Sequence, residues 1–317
     1  PASRDKLRDL LRDVMIRNTR SAIDLKLPKR FATTLREEPT EGEREIYLGL
    51  KDYLRGKSLN RLTVYHLLKE AGSSPFALKQ SLLRLPGEGS DREGIIRSID
   101  RLQEVSKGRT LLDLVRKNPQ EKKVIFVQYL KTMDYVTGLL RQHGAGHVTF
   151  KGAMTLEEKD AAIRRFRDEV PVLVSTESGG EGRNLQFCNT IINFDLPWNP
   201  MRIEQRIGRL HRIGQTRDVF IFNLAVRETL EDYIIEILDS KINMFEMVIG
   251  EIEPILGHLE KEEEFEEIVM EIWMNSSSDV DLRKGFESLG EALLKAKKEY
   301  LKTKVLDEDL LGRDYEI

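Results

Sequence analysis

Between about residues 108 and 227 the chain alternates short apolar runs with helical patterns, and nothing else in the sequence narrows the choice of fold so far. VIFV (124–127), HVTF (147–150), VPVLVST (170–176), TIINF (190–194) and VFIFNL (219–224) read as buried strands. Amphipathic segments from Met133 to Gln142 and from Thr155 to Arg167 lie between them, the second opening on a capping box of Thr155 and Glu158. Strand and helix in alternation predict an α/β fold, a parallel sheet covered by helices on both faces. Ligands of such sheets gather beyond the carboxyl ends of the strands, so chemistry is expected in the loops after residues 127, 150, 176 and 194.

The flanks read differently. Residues 3–107 are charged and helical in pattern, with apolar positions at helical spacing in Leu7, Leu10, Leu11, Val14 and Met15, and again in Ile46, Leu50, Tyr53 and Leu54. Turns are expected at Leu27-Pro28, Glu38-Pro39, Gly72-Ser73-Ser74-Pro75 and Pro86-Gly87-Glu88-Gly89-Ser90. After residue 228 the pattern returns to helix, interrupted by an acidic run from Glu260 to Glu267 that reads as a solvated face or a docking helix. The expected organisation is therefore three-part: 1–107, a helical region with a linker; 108–240, the α/β unit; and 241–317, a helical extension.

Charge matters here because it excludes a uniformly basic surface. The chain has 51 Lys and Arg against 54 Asp and Glu, so any nucleic-acid footprint must come from local clustering. Cys188 is the only cysteine, which leaves no intrachain disulfide, and no apolar run approaches bilayer length. A cytoplasmic setting without membrane contact follows. The start at Pro1, without Met or a signal-peptide pattern, suits a piece of a longer protein.

Two segments carry chemistry. STESGGEGRNLQ (175–186) follows a strand and holds Gly179, Gly180 and Gly182, which would let the backbone turn tightly and approach a phosphate. QRIGRLHRIGQ (205–215) places Arg206, Arg209 and Arg212 three residues apart, on neighbouring ridges if the segment is helical. With no acids three or four positions downstream, their expected partner is an anion outside the segment. Permanently charged guanidinium is what phosphoryl transfer uses against developing charge. His143, His147 and His211 lack the spacing of a metal site, and Cys188 reads as a small buried apolar residue.

LVSTESGGEGRNLQ, INFDLPWNP and EQRIGRLHRIGQ, in that order, resemble motifs V and VI of superfamily-two helicases, in particular the sucrose-non-fermenting-type DNA translocases, with spelling closest to the RapA-like branch. VIFVQYLKTMDYV resembles motif IV, and VMIRNTRSAIDLKLPKR is similar to the segment that ends the first motor lobe. The resemblance is firm over 108–245 and implies a second RecA-like lobe. Walker A and DExH motifs belong to the family's first lobe and are not spelled here; Arg55-Gly56-Lys57-Ser58 lacks the earlier glycine and sits in helical context.

Carried over by position, the resemblance implies that Arg209 and Arg212 are arginine fingers and that Gln205 faces the cleft between lobes. Gly182 and Asn184 would lie near the phosphates and ribose. Ser175 and Thr176 would touch the tracked strand, with Gln128, Lys151 and Gly152 on the same face. Trp198 reads as a packing residue or as a link between motif VI and DNA. The implied cofactors are ATP and Mg²⁺, held mainly by the first lobe, and the implied partners are double-stranded DNA, that first lobe, and a protein at the C-terminal helices. A prokaryotic nucleoid setting would follow. Two other readings stand beside it: a nucleic-acid or protein-binding module that kept the lobe without the motor, and the lobe of an RNA helicase or restriction-type translocase.

Overall fold

The computed structural model describes residues 28–57, 59–86, 89–176, 185–247, 251–257, 259 and 265–311. Its centre is a six-stranded sheet, every pairing parallel: β1 (Arg30–Glu37), β2 (Lys123–Val127), β3 (His147–Phe150), β4 (Val172–Thr176), β5 (Thr190–Asn193) and β6 (Val219–Val226), in spatial order β1-β6-β5-β2-β4-β3. All five strands expected from the apolar runs are present, trimmed or extended by a residue or two.

β1 is a correction. RFATTLRE falls in the stretch read as helical, yet it pairs with β6 along its whole length, Arg30 opposite Val219 and Glu37 opposite Val226. It is an edge strand with no fully buried residue, Ala32 and Leu35 packing only partly against the two cores, so its apolar residues do not form a run, while Thr33 and Thr34 supply the β-branched preference.

The period of two sorts the inner strands between two cores. Val124, Phe126, Leu173 and Ile191 enter one; Ile125, Val127, Val172, Val174 and Ile192 enter the other. The second core is closed by α5 (Ser106–Arg116) and α6 (Leu130–Gln142) through Leu111, Val115, Met133, Val136 and Leu140. The first is larger. It takes in α1 (Glu41–Gly56), α2 (Arg61–Ser73), α3 (Pro75–Arg84), α4 (Ser90–Arg101), α7 (Leu156–Asp168), α8 (Pro200–Ile207) and α9 (Leu230–Glu236).

Helix starts follow their sequence signals. Thr155 caps α7 and Glu158 returns the bond to the Thr155 backbone N–H at 2.8 Å, the expected capping box. Thr40 and Glu43 form a second one on α1. The turn expected at 72–75 is tighter than a loop: α2 runs through Ser73, and Ser74 caps α3 directly.

Beyond α9 the chain winds through a π-helical turn (Ile237–Lys241) and a 3-10 turn (Met244–Glu246) to α10 (Ile252–Gly257), α11 (Phe265–Asn275) and α12 (Asp279–Leu311). Among the described residues no helix is long and apolar enough to cross a membrane.

Candidate functional site

β2 and β5 end side by side, and a buried polar network forms where they stop. Asp195 is fully buried two residues beyond β5, and its Oδ2 accepts hydrogen bonds from the Gln128 backbone N–H at 2.9 Å and from Ser73 Oγ at 2.5 Å. Ser73 and Ser74 both meet Thr132 Oγ1 at 2.7 Å, which ties the α2–α3 junction to α6. A carboxylate this deep needs a cation. Arg206 supplies it from α8: Nη2 lies 3.6 Å from Asp195 Oδ1, while Nη1 donates to Asp195 O at 2.7 Å and to Asn193 Oδ1 at 3.1 Å. Asn193 in turn donates to Asn223 of β6 at 2.8 Å.

The segment after Asp195 is held from three sides. Leu196 N–H donates to Glu231 at 2.5 Å, and its carbonyl accepts from Gln128 Nε2 at 2.9 Å. Glu231 also receives Lys107 Nζ at 2.5 Å, a buried ion pair in which desolvation pushes the carboxyl up and Lys107 pulls it back. Trp198 is 2% exposed and packs edge-to-face on Tyr65 with ring centroids 5.4 Å apart. Asn199 then caps α8 through Met201 N–H, with Pro200 in its first turn.

α8 ends at Ile207, so the three arginines do not share a helix face. Arg206 turns inward, and its anion outside the segment is a carboxylate of this chain rather than a ligand: Asp195, eleven residues upstream and invisible to a search at helical spacing. Arg209 is half-buried and Arg212 exposed, in the tight turns that follow. That stretch is firmly tied down. Gln215, buried, donates to the carbonyls of Gln186, Cys188 and Leu210 at 3.0–3.2 Å and accepts from Thr216 and Arg217 N–H. His211 accepts from Arg30 Nε at its Nδ1 and meets Pro28 O at 2.8 Å through Nε2, which makes Nε2 the donor. Gly214 has φ +101°, and a Cβ there would press on the Gln186 side chain at 3.2 Å. These contacts place the turn at the amino ends of β1 and β5, opposite the edge where Gln128 and Asp195 lie.

Four likenesses to known proteins bear on this arrangement. The conserved C-terminal domain of helicases matches residues 106–214, which run from α5 to the arginine turn. An ATP-dependent helicase of Bacillus subtilis, YqhH, is 37% identical over 297 residues, 90% of this chain and 53% of its own length. The RNA polymerase-associated protein RapA of Vibrio campbellii is 35% identical over 144 residues, covering 44% of this chain and 15% of RapA. The C-terminal part of the Fun30 ATPase domain superposes with a TM-score of 0.53 at 19% identity, over 67% of this chain and 89% of that one. The chain is the RecA-like C-terminal lobe of a superfamily-two helicase of the sucrose-non-fermenting type. It spans about half the length of the Bacillus subtilis relative and a smaller part of RapA.

Within this helicase lobe the expected residues fall into two groups. Gln128, Lys151, Gly152, Ser175 and Thr176 all follow or end β2, β3 and β4, on the carboxyl edge. Gly152 is exposed, Lys151 and Gln128 are half-buried, and Ser175, Thr176 and Trp198 are closed inside. Arg209 and Arg212 sit at the amino edge, and Gln205 is exposed on α8 between the two. Gly182 and Asn184 lie outside the described residues. Cys188 is buried, and burial pushes its thiol up to about 12, as suits a small core residue. The sequence reading missed Asp195, Glu231, Lys107 and Ser73. Asp195 had a signal, an acid directly after an apolar strand, whereas Glu231, Lys107 and Ser73 are polar residues on amphipathic helices whose inward direction only packing reveals.

Proposed function

We propose that this lobe is the second motor lobe of an ATP-dependent double-stranded-DNA translocase, in which Arg209 and Arg212 stabilise charge on the transferring phosphoryl group. The observation that carries the reading is the arginine turn: two guanidinium groups, neither in an ion pair among the described residues, on a turn fixed by Gln215, His211 and Gly214. Such preorganised donors cost little reorganisation at the moment of reaction. Their chemistry suits phosphate oxygens. ATP and Mg²⁺ would be held mainly by the first lobe, with Gln205, Gly182 and Asn184 completing this lobe's side; the bound nucleotide supplies the phosphoryl group, and the residues here orient and neutralise it.

DNA would run along the carboxyl edge, against the main chain at Gln128, Lys151, Gly152 and Thr176. Ser175 and Trp198 support that edge from beneath rather than touching the strand. The names of the relatives favour a motor: YqhH is an ATP-dependent helicase and RapA is RNA polymerase-associated. A RapA-like branch, a nucleoid setting and a protein partner at the C-terminal helices belong to the same proposal. Residues 108–240 form its helicase lobe, with 241–317 as an extension and β1 contributed from the 1–107 region.

The deciding experiment is the ATPase of the full-length protein with and without nucleic acid. Stimulation by duplex DNA well above that by RNA of equal length is expected. Equal or greater stimulation by RNA would move the lobe to the RNA helicases, and none by either would leave a binding module.

A further inference from the structure

Arg206 is spelled into the same stretch as the two arginines of the turn and yet meets no solvent, being 2% exposed. Its guanidinium reaches three partners at the carboxyl edge: Asn193 Oδ1, Asp195 O and, at 3.6 Å, the Asp195 carboxylate. It also lies 5.3 Å from the Phe126 ring centroid, over β2. The other oxygen of Asp195 is held by Gln128 N–H and Ser73 Oγ, so the pair joins the ends of β2 and β5 to the α2–α3 junction. Its main chain faces the other way. The Arg206 carbonyl accepts the N–H of Arg209 at 3.1 Å, and the Leu210 and His211 N–H groups bond to Ile207.

We propose that Arg206 is a positioning residue that ties the arginine turn to the nucleic-acid edge through Asp195, so that movement at one edge carries Arg209 and Arg212 at the other. This rests on the motor reading given above. One side chain and one carbonyl of the same residue span the two edges, with no flexible segment between them. Buried ion pairs contribute little net stability compared with apolar replacements, so what this one supplies is a fixed geometry. A guanidinium suits the task because its planar fork can face a carbonyl, an amide oxygen and a carboxylate at once, where an ammonium offers a point charge.

The test uses the full-length protein with Arg206→Gln, Asp195→Asn and the double variant, assayed at saturating ATP and duplex DNA. Each single variant is expected to lower kcat by about tenfold or more, with KM for ATP and the half-saturating DNA concentration within about twofold of the parent. The double variant should lose no more than the worse single one, because the link is already cut. Arg206→Lys should recover part of the loss. The proposal is overturned if folded Arg206→Gln keeps its turnover, if the two single losses multiply in the double variant, or if KM rises at constant kcat. Should Arg206→Gln fail to fold by circular dichroism, the near-isosteric Asp195→Asn reads the same link; if neither folds, the pair is a folding element and the proposal falls. Arg209→Ala run alongside separates the two levels. Turnover retained there sinks the motor reading and this inference with it, whereas turnover lost there but kept in Arg206→Gln sinks this inference alone.

Discussion

Arg206, Arg209 and Arg212 stand three residues apart and meet a buried carboxylate, a half-buried turn and open solvent in that order. Only the last two reach the surface. In the full-length protein, Arg209→Ala or Arg212→Ala is expected to lower the ATPase turnover number by about a hundredfold or more, as loss of a guanidinium aimed at phosphoryl charge should. KM for ATP and DNA affinity should change much less, because the group acts in the transition state and lies away from the carboxyl edge. Lys should not restore the rate fully. Arg97, exposed on α4 beside Glu93, is the control, and Arg97→Ala should leave turnover intact. Steady-state kinetics on these variants check this; full activity without either turn arginine would make them ordinary surface residues.

The helices show how one side chain can serve two elements. Glu158 closes only the start of α7, and both it and Thr155 are exposed. Glu43 is 1% exposed and accepts from Thr40 N–H at 2.9 Å, Ser106 N–H at 3.0 Å and Ser106 Oγ at 3.2 Å, so it caps α1 and the start of α5 together. Thr155→Ala should therefore cost about 1 kcal/mol, an ordinary cap. Glu43→Ala should cost roughly 2–4 kcal/mol, since it leaves three partly buried donors without their charged acceptor; urea unfolding of both would show the order, and equal losses would refute it. On α2, burial holds the Glu70 carboxyl up at about 7 despite the Ser81 hydroxyl at 2.8 Å. The folded state thus keeps this proton to higher pH than the unfolded chain, so Glu70 favours folding in acid and loses that contribution as the pH rises through 7. Glu70→Gln should raise the melting temperature at pH 8 relative to pH 5 by roughly 3 °C more than any shift at pH 5 itself. A parallel Tm–pH profile in the two proteins would sink the assignment.

At the scale of the whole molecule, the sheet is not confined to the segment that carries the helicase motifs. β1 comes from before residue 38, Ser73 and Glu43 reach from the preceding helices into the motif-bearing core, and Lys107 reaches in from the first turn of α5. A chain cut to begin at residue 108 should fail to give a soluble monomer, because it bares the β6 edge and leaves Glu231 buried without its cation. One beginning at residue 28 should stay folded. Size-exclusion chromatography and melting curves of the two separate these outcomes, and a stable monomer from 108 onward would show the preceding helices to be dispensable. The 317-residue chain alone should hydrolyse ATP no faster than background, since the phosphate cradle implied for the motor lies on the other lobe; DNA-stimulated turnover by this chain would contradict that.

What the sequence determined by itself was whatever depends on local pattern: five strands written as apolar runs, and the capping box at Thr155 and Glu158. Those signals are local because a strand buried on both faces must be apolar throughout, and a cap needs only residues three apart. Tertiary structure alone decided the rest. β1 is paired on one side with a strand nearly two hundred residues away, so its own text could look helical. Arg206, Asp195, Ser73 and Gln128 come from four elements, and which of three evenly spaced arginines turns inward depends on where α8 stops and what carboxylate waits beneath it. A charge is drawn inward only by a partner brought there through folding, and sequence spacing holds no record of that partner.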